Sequence, residues 1–434
     1  MILNKKELAT SQLRKDALAV IEAGYKAIDI ETLTRKRLNI SGSKLCISDS
    51  VCKENIDLTG VKRLWVIGFG KGSYSAVSTT ADILGKKMTG AIALDTKTSC
   101  KPTRPNKRVK VFWGTHPTPS RANVLATQHI VRTVETLGED DLILYFVGGG
   151  GSSLLCGSFD ELTYASGVFS KLTQKGASIN EINTVRKHLS TVKGGGLAYF
   201  TYPARFASLI VSDVCGNDFG TIASGPTVPD RTTIVNAKKV LKKYKISFSG
   251  FTFIQTPQDK KYFKRGMSFL LACNQDALMA MIKQARKRGY KASLVSLAYE
   301  GEAQKMFLPL FSKMSSKRAF VLGGETTVTL GKKSGKGGRN QEAVLGAVVG
   351  AFLGKVDLAH TLVASFASDG FDNVSVGGAL ADGATMRIVL EKDVDPGKFL
   401  AGHDSFSFFK KVGGHVIVER RSFNVSDLSF IISL

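Results

Sequence analysis

Five times along this chain of 434 residues, an apolar run of strand length stops at a polar loop carrying glycine. The runs span 64–69, 142–147, 206–211, 319–322 and 362–366. Those at 142–147 and 206–211 read as strands buried on both faces. Amphipathic helices are read at 74–84, 121–137 and 276–288, and further strands at 109–113, 268–273 and 291–297. Strands and helices in this alternation predict a doubly wound parallel sheet, an α/β fold. Open sheets of that kind bind ligands outside the carboxyl ends of their strands. The five loops are therefore expected to share a cleft.

Each loop supports a chemical reading and a plainer one. In 68–73, Gly70 and Lys71 suit an anion at a helix N-terminus, with the lysine as a point charge. The loop lacks the GxxxxGK[ST] spacing, and Ser73 stands where a GxGxxG fingerprint needs its third glycine, so a tight turn is the other reading. In 148–153, Gly149 and Gly150 belong to four consecutive glycines whose N–H groups suit a phosphate nest, with Ser152 and Ser153 as further donors, or simply a flexible turn. In 212–218, Asp213 at a strand end is a candidate metal ligand, proton acceptor or helix cap, and Ser224 follows in 223–227. The loop at 323–327 carries Glu325. The glycine-rich segment after it ends in Arg339 and Asn340, where a guanidinium and backbone N–H groups face one anion, or where a basic loop is simply solvated. In 368–373, Asp369 is a candidate Mg²⁺ ligand working with phosphate, or part of an ordinary acidic turn; the spacing is not that of an EF-hand. His116 and His188 are candidates for substrate contact or for structural roles.

Composition narrows the partners. Sixty Lys and Arg against 36 Asp and Glu give a net charge of +24. The lysines are scattered, with no Arg-rich tract and no basic run interleaved with aromatics, so no specific nucleic-acid partner is expected. The six cysteines form no CxxC pair, which argues against zinc and dithiol redox chemistry. A charged N-terminus and apolar runs of strand length predict a cytoplasmic protein without a membrane span. Residues 5–32 read as one amphipathic helix, and the poorly patterned stretch 245–265 reads as a domain junction. The expected domains are 1–250 and 260–434, with the N-terminal helix free to pack on the second.

The segments 181–190, 222–230, 323–328 and 337–342, in that order, resemble the glycerate 2-kinase family, whose C-terminal half is called the MOFRL domain. The resemblance covers nearly the whole chain. It implies a Rossmann-like N-terminal domain, a second α/β domain and an active site in the interdomain cleft. It also implies transfer of the ATP γ-phosphoryl group to the 2-hydroxyl of D-glycerate, with Mg²⁺ or another divalent metal, by a monomer or homodimer. The family's catalytic lysine and arginine fall on Lys71 and Arg339, and its motifs bring Arg186 and Lys193 into the substrate- and phosphate-binding set. The chain departs from the family pattern at Ser120, at Gly196 and in the run 421–424. Members of the family have also been labelled hydroxypyruvate reductases. For a dinucleotide enzyme, Asp95 would be the acidic residue at the ribose position.

Overall fold

The computed structural model describes residues 1–49, 52–331 and 334–434, without the side chains at 165, 166 and 215. The chain forms two compact units, Ile30–Ala272 and Met1–Asp29 with Cys273–Leu434. These differ from the ranges 1–250 and 260–434. The first unit runs on to residue 272 because Gly266–Ala272 adds a strand to the edge of its sheet. The second takes in the N-terminus because the helix Gln12–Ala27 packs on the helix Asn274–Lys287.

The first unit opens with an antiparallel ribbon of β1 (Leu38–Ser41), β2 (Lys44–Ser48) and β3 (Lys53–Asp57), which the sequence reading did not anticipate. Its main sheet contains β4 (Leu64–Phe69), β5 (Gly90–Thr96), β6 (Val109–Gly114), β7 (Leu142–Val147), β8 (Arg205–Val211) and β9 (Gly266–Ala272). All six are parallel, in the order β6-β5-β4-β7-β8-β9. Counted from β4 this is 3-2-1-4-5-6, the doubly wound order, and it reverses between β4 and β7. Every residue of β7 is buried, as its unbroken apolar sequence requires of a central strand covered on both faces. The one polar atom there, the Tyr145 hydroxyl, is satisfied by Thr201 Oγ1 at 2.6 Å. Ala126, Ile130 and Val134 of the helix Arg121–Val134 pack into the same core as Ile67, Ile92 and Ile143.

The second unit is a mixed sheet of β10 (Lys291–Tyr299), β11 (Arg318–Gly324), β12 (Thr361–Ala367), β13 (Gly378–Ala381), β14 (His415–Val416) and β15 (Asp427–Ser433), ordered β10-β11-β15-β12-β13-β14. The C-terminal strand β15 lies between β11 and β12, antiparallel to both. Its first residue, Asp427, thus lies at the edge where β11 and β12 end. The expected helix over 5–32 is three helices, Lys5–Leu8, Gln12–Ala27 and Ile30–Arg37. Ser11 starts the second by accepting the Arg14 N–H at 3.1 Å. Arg14 then binds Asp382 through two hydrogen bonds of 2.8 and 2.7 Å, which anchors the N-terminal helix to its unit. Among the described residues, no helix is long and apolar enough to cross a membrane.

Candidate active site

The reversal between β4 and β7 brings the first two glycine loops together. The Gly148 N–H donates to the Phe69 carbonyl at 2.9 Å, and the Lys71 N–H donates to the Gly149 carbonyl at 2.8 Å. Gly70 has φ +106°, and a Cβ there would overlap the Gly148 carbonyl. Only glycine serves at such a crossing. Two more strand ends reach the same place. A Cβ on Gly150, after β7, would lie 2.7 Å from the His116 ring that follows β6, and one on Gly149 would lie 3.1 Å from Asp213 Oδ2, which follows β8. His116 and Asp213 thus pack directly on the glycine backbone, leaving no room for a side chain on Gly150 and little on Gly149.

Lys71 has no ion-pair partner among the described residues. Burial, then the nearby charges of Lys71 and Arg186, lower the His116 pKa to about 4, so the imidazole is neutral at physiological pH. A hydrogen-bond chain leads away from the nest. Ser152 Oγ lies 2.8 Å from Ser224 Oγ, which donates to Asn183 Oδ1 at 3.0 Å, and Arg186 Nη1 donates to the same oxygen at 3.2 Å. Ala223 and Ser224 both have positive φ, 50° and 62°, a backbone strain of the kind that collects at functional sites. Asn183 was not singled out from the sequence, although it lies inside the 181–190 motif.

Several expected site residues are committed elsewhere. Lys193 is buried and its ammonium pairs with Glu161, with a further bond of 2.8 Å to the Leu155 carbonyl, so it cannot serve as a phosphate ligand. His188 is fully buried between the Ile254 carbonyl at 3.0 Å and Thr232 Oγ1 at 3.1 Å, a structural role. The helix Ser73–Leu84 does not offer a bare N-terminus, because Asp95 fills it. One Asp95 oxygen accepts the Tyr74 N–H at 3.0 Å, and the other accepts from Thr96 N at 2.7 Å and Ser99 Oγ at 2.5 Å. Asp95 is completely buried, so it is not available to a ribose either. The cation in this loop is therefore Lys71 and not the helix dipole.

In the second unit, Arg339 opens the helix Arg339–Phe352 and lines a cavity of about 570 Å³ with Asp427 and Thr326. Its Nε and Nη2 donate to the two Asp427 oxygens at 2.5 and 3.2 Å, and Nη1 reaches Glu325 at 2.6 Å. Burial opposes the charge, but these two carboxylates outweigh it and hold the guanidinium proton more tightly than usual. Burial raises the Asp427 carboxyl to about 6 despite the pull of Arg339. Asn340 is buried and committed: it donates to Asp372 Oδ1 at 3.1 Å and accepts from Ser365 at 2.5 Å, so it positions its neighbours and is not free for substrate. Asp372 also accepts the Asn340 and Gln341 N–H groups at 3.1 and 2.9 Å, closing this helix N-terminus as Asp95 closes the other. Asp369 is half-buried and accepts the Phe371 N–H at 3.0 Å in a local turn.

Among the described residues, no three His, Cys, Asp or Glu side chains gather into a metal site. Mg²⁺ commonly keeps several waters and is held by one or two carboxylates plus phosphate oxygens. Asp213, which packs on Gly149, is the carboxylate the sequence reading offered for that role.

Comparison with known proteins identifies the family. Residues 16–250 match a family model described as a domain of unknown function, DUF4147, and residues 318–427 match the MOFRL family. A glycerate 2-kinase of Pyrococcus horikoshii is 30% identical over 96% of this chain and 96% of its own. A putative hydroxypyruvate reductase of Agrobacterium vitis is 35% identical over 76% of this chain and 78% of its own. The crystal structure of a Thermotoga maritima glycerate kinase superposes with a TM-score of 0.82 at 27% identity, covering 97% of this chain and 99% of that one. With both family regions matched in order and full-length relatives at this identity, the chain belongs to the glycerate 2-kinase family.

Proposed function

We propose that this kinase transfers the γ-phosphoryl group of ATP to the 2-hydroxyl of D-glycerate, giving 2-phosphoglycerate. The observation that carries the reading is the crossing of the Gly70–Lys71 and Gly148–Ser153 loops at the strand-order reversal, with His116 and Asp213 facing the nest. Phosphoryl transfer requires positioning and charge neutralisation more than covalent participation. Backbone N–H groups and the Ser152 hydroxyl would hold phosphate oxygens, and Lys71 would neutralise charge as it develops. Asp213 would either accept the hydroxyl proton or hold the cation. Within the second unit, Arg339 would neutralise charge on a bound anion, with Glu325 as its displaceable partner and Asp369 as a second candidate for the cation. Mg²⁺, when bound, supplies charge neutralisation at the phosphate oxygens.

The reductase reading, kept alive by the name of the Agrobacterium relative, is disfavoured by Asp95. A dinucleotide needs that carboxylate at its ribose, and here it is buried and bound to four groups of its own unit. ATP and D-glycerate as substrates suit a cytoplasmic enzyme, and the reading keeps both a monomer and a homodimer. The test supplies ATP, Mg²⁺ and D-glycerate and couples the product to enolase. Signal from enolase without added mutase supports the 2-position. Formation of 3-phosphoglycerate, or oxidation of NADH by hydroxypyruvate with no ATP-dependent product, would overturn the assignment. Chelation of the metal is expected to abolish turnover, and added Mg²⁺ to restore it.

A further inference from the structure

Beside the nest, the first unit holds a cavity of about 440 Å³ lined by Ser152, Ser153, Thr118, Phe169, Glu161 and Arg186. Arg186 sits in the last turn of the helix Ile179–Lys187, with its guanidinium stacked over the Phe169 ring at 4.7 Å. Its hydrogen bond to Asn183 occupies one Nη1 donor. Among the described residues no carboxylate lies within ion-pair distance of it, in contrast to Arg14, Arg63, Arg288 and Arg339. Burial lowers its pKa to about 10, against the weaker opposing pull of the Glu161 carboxylate. The acid on the cavity wall, Glu161, is already neutralised by the buried Lys193. The cavity therefore presents net positive charge and a planar fork of donors held flat by an aromatic ring.

We propose that Arg186 is the carboxylate anchor of the acceptor, and that this cavity is where the hydroxy acid lies with its hydroxyl toward the nest. The inference rests on the kinase reading above and deepens it by assigning the acceptor's subsite. A guanidinium fork matches a carboxylate in plane and spacing, whereas the nest and Lys71 suit a phosphate. The aromatic face in the lining, Phe169, is covered by Arg186 itself, which leaves no ring for a purine to stack on. Lys193 is thus a positioning residue: it cancels the Glu161 charge that would otherwise repel the acid.

The experiment compares wild type with Arg186→Gln and Arg186→Lys, the second keeping the charge and most of the stem. KM is measured for D-glycerate and for ATP, and D-glycerate binding is followed by calorimetry with a non-hydrolysable ATP analogue present. Losing a charge-assisted pair should raise the D-glycerate KM of Arg186→Gln on the order of 10- to 100-fold, while KM for ATP stays within about twofold of wild type. Preference for the acid over its methyl ester should vanish in Arg186→Gln and return in part in Arg186→Lys. A raised ATP KM with an unchanged D-glycerate KM overturns the inference and puts the guanidinium on the nucleotide. So does equal calorimetric binding by wild type and Arg186→Gln, or no binding by wild type. If binding depends on Arg186 but no 2-phosphoglycerate forms, the subsite stands and the reaction assignment falls. If wild type makes 2-phosphoglycerate and Arg186→Gln keeps its D-glycerate KM, the reverse holds.

Discussion

Lys71 and Arg186 in the first unit have no carboxylate in ion-pair range among the described residues, whereas Arg339 in the second is gripped by Asp427 at 2.5 Å and Glu325 at 2.6 Å. Both units use one architectural device. A buried aspartate, Asp95 or Asp372, caps the helix that follows a glycine-rich loop and removes that helix end from ligand binding. What remains for an anion is side-chain charge. In the first unit that charge is unpaired and ready, and in the second it is stored in an ion-pair cluster. A pre-paired arginine is held in place, and three of its five donors are already turned to carboxylates.

The contrast breaks or sharpens through stability as much as activity. Lys71→Ala should lower kcat by about 10²–10³, the ~3–4 kcal/mol of a lost transition-state donor, with an unchanged thermal midpoint because no partner is left unpaired. Arg339→Ala should lower kcat comparably and also shift the denaturant midpoint, costing about 1–3 kcal/mol for a buried Asp427 stripped of its partner. Equal destabilisation by both variants would erase the distinction.

The pH dependence should differ in sign. Burial raises Asp427 to about 6, above its unfolded value, so the folded state takes up that proton first and Asp427's contribution to stability improves as pH falls through 6. Burial and two cations lower His116 to about 4, so the unfolded state takes up that proton first and stability is lost between about 6.5 and 4. Asp427→Asn should therefore remove a gain on acidification, and His116→Asn should remove a loss on the order of 1–2 kcal/mol after solvent screening. Urea melts across this range read both slopes. The smallest effect belongs to Glu325→Gln. Its side chain is about half exposed, at 52%, so loosening its grip on Arg339 should change KM for ATP or D-glycerate only a few-fold. A large loss of turnover would mean that Glu325 itself contacts the reactants.

Much of this was legible in the chain. The apolar runs at 64–69 and 142–147 announced central strands, and the glycines after them announced close backbone approach. The charged groups were harder to place. Lys193 and Asn340 look like ligands in a motif, yet each satisfies a buried partner, Glu161 and Asp372 respectively. Phe169, which flattens Arg186, carries no signal at all in a helix of unremarkable pattern. The β1–β3 ribbon escaped notice because its short, half-exposed strands lack the long alternation that marks a sheet.

Local covalent properties travel with the sequence: hydrophobic periodicity, the freedom of glycine, and the order of family motifs. From these come the strands, the glycine-rich loops at their ends and the family. Which cation is free, which is neutralised and which helix end is already capped depends on residues far apart in the chain, such as Arg339 with Asp427 or Tyr74 with Asp95. Electrostatic energy is set by distance and burial, and those quantities exist only once the chain has folded.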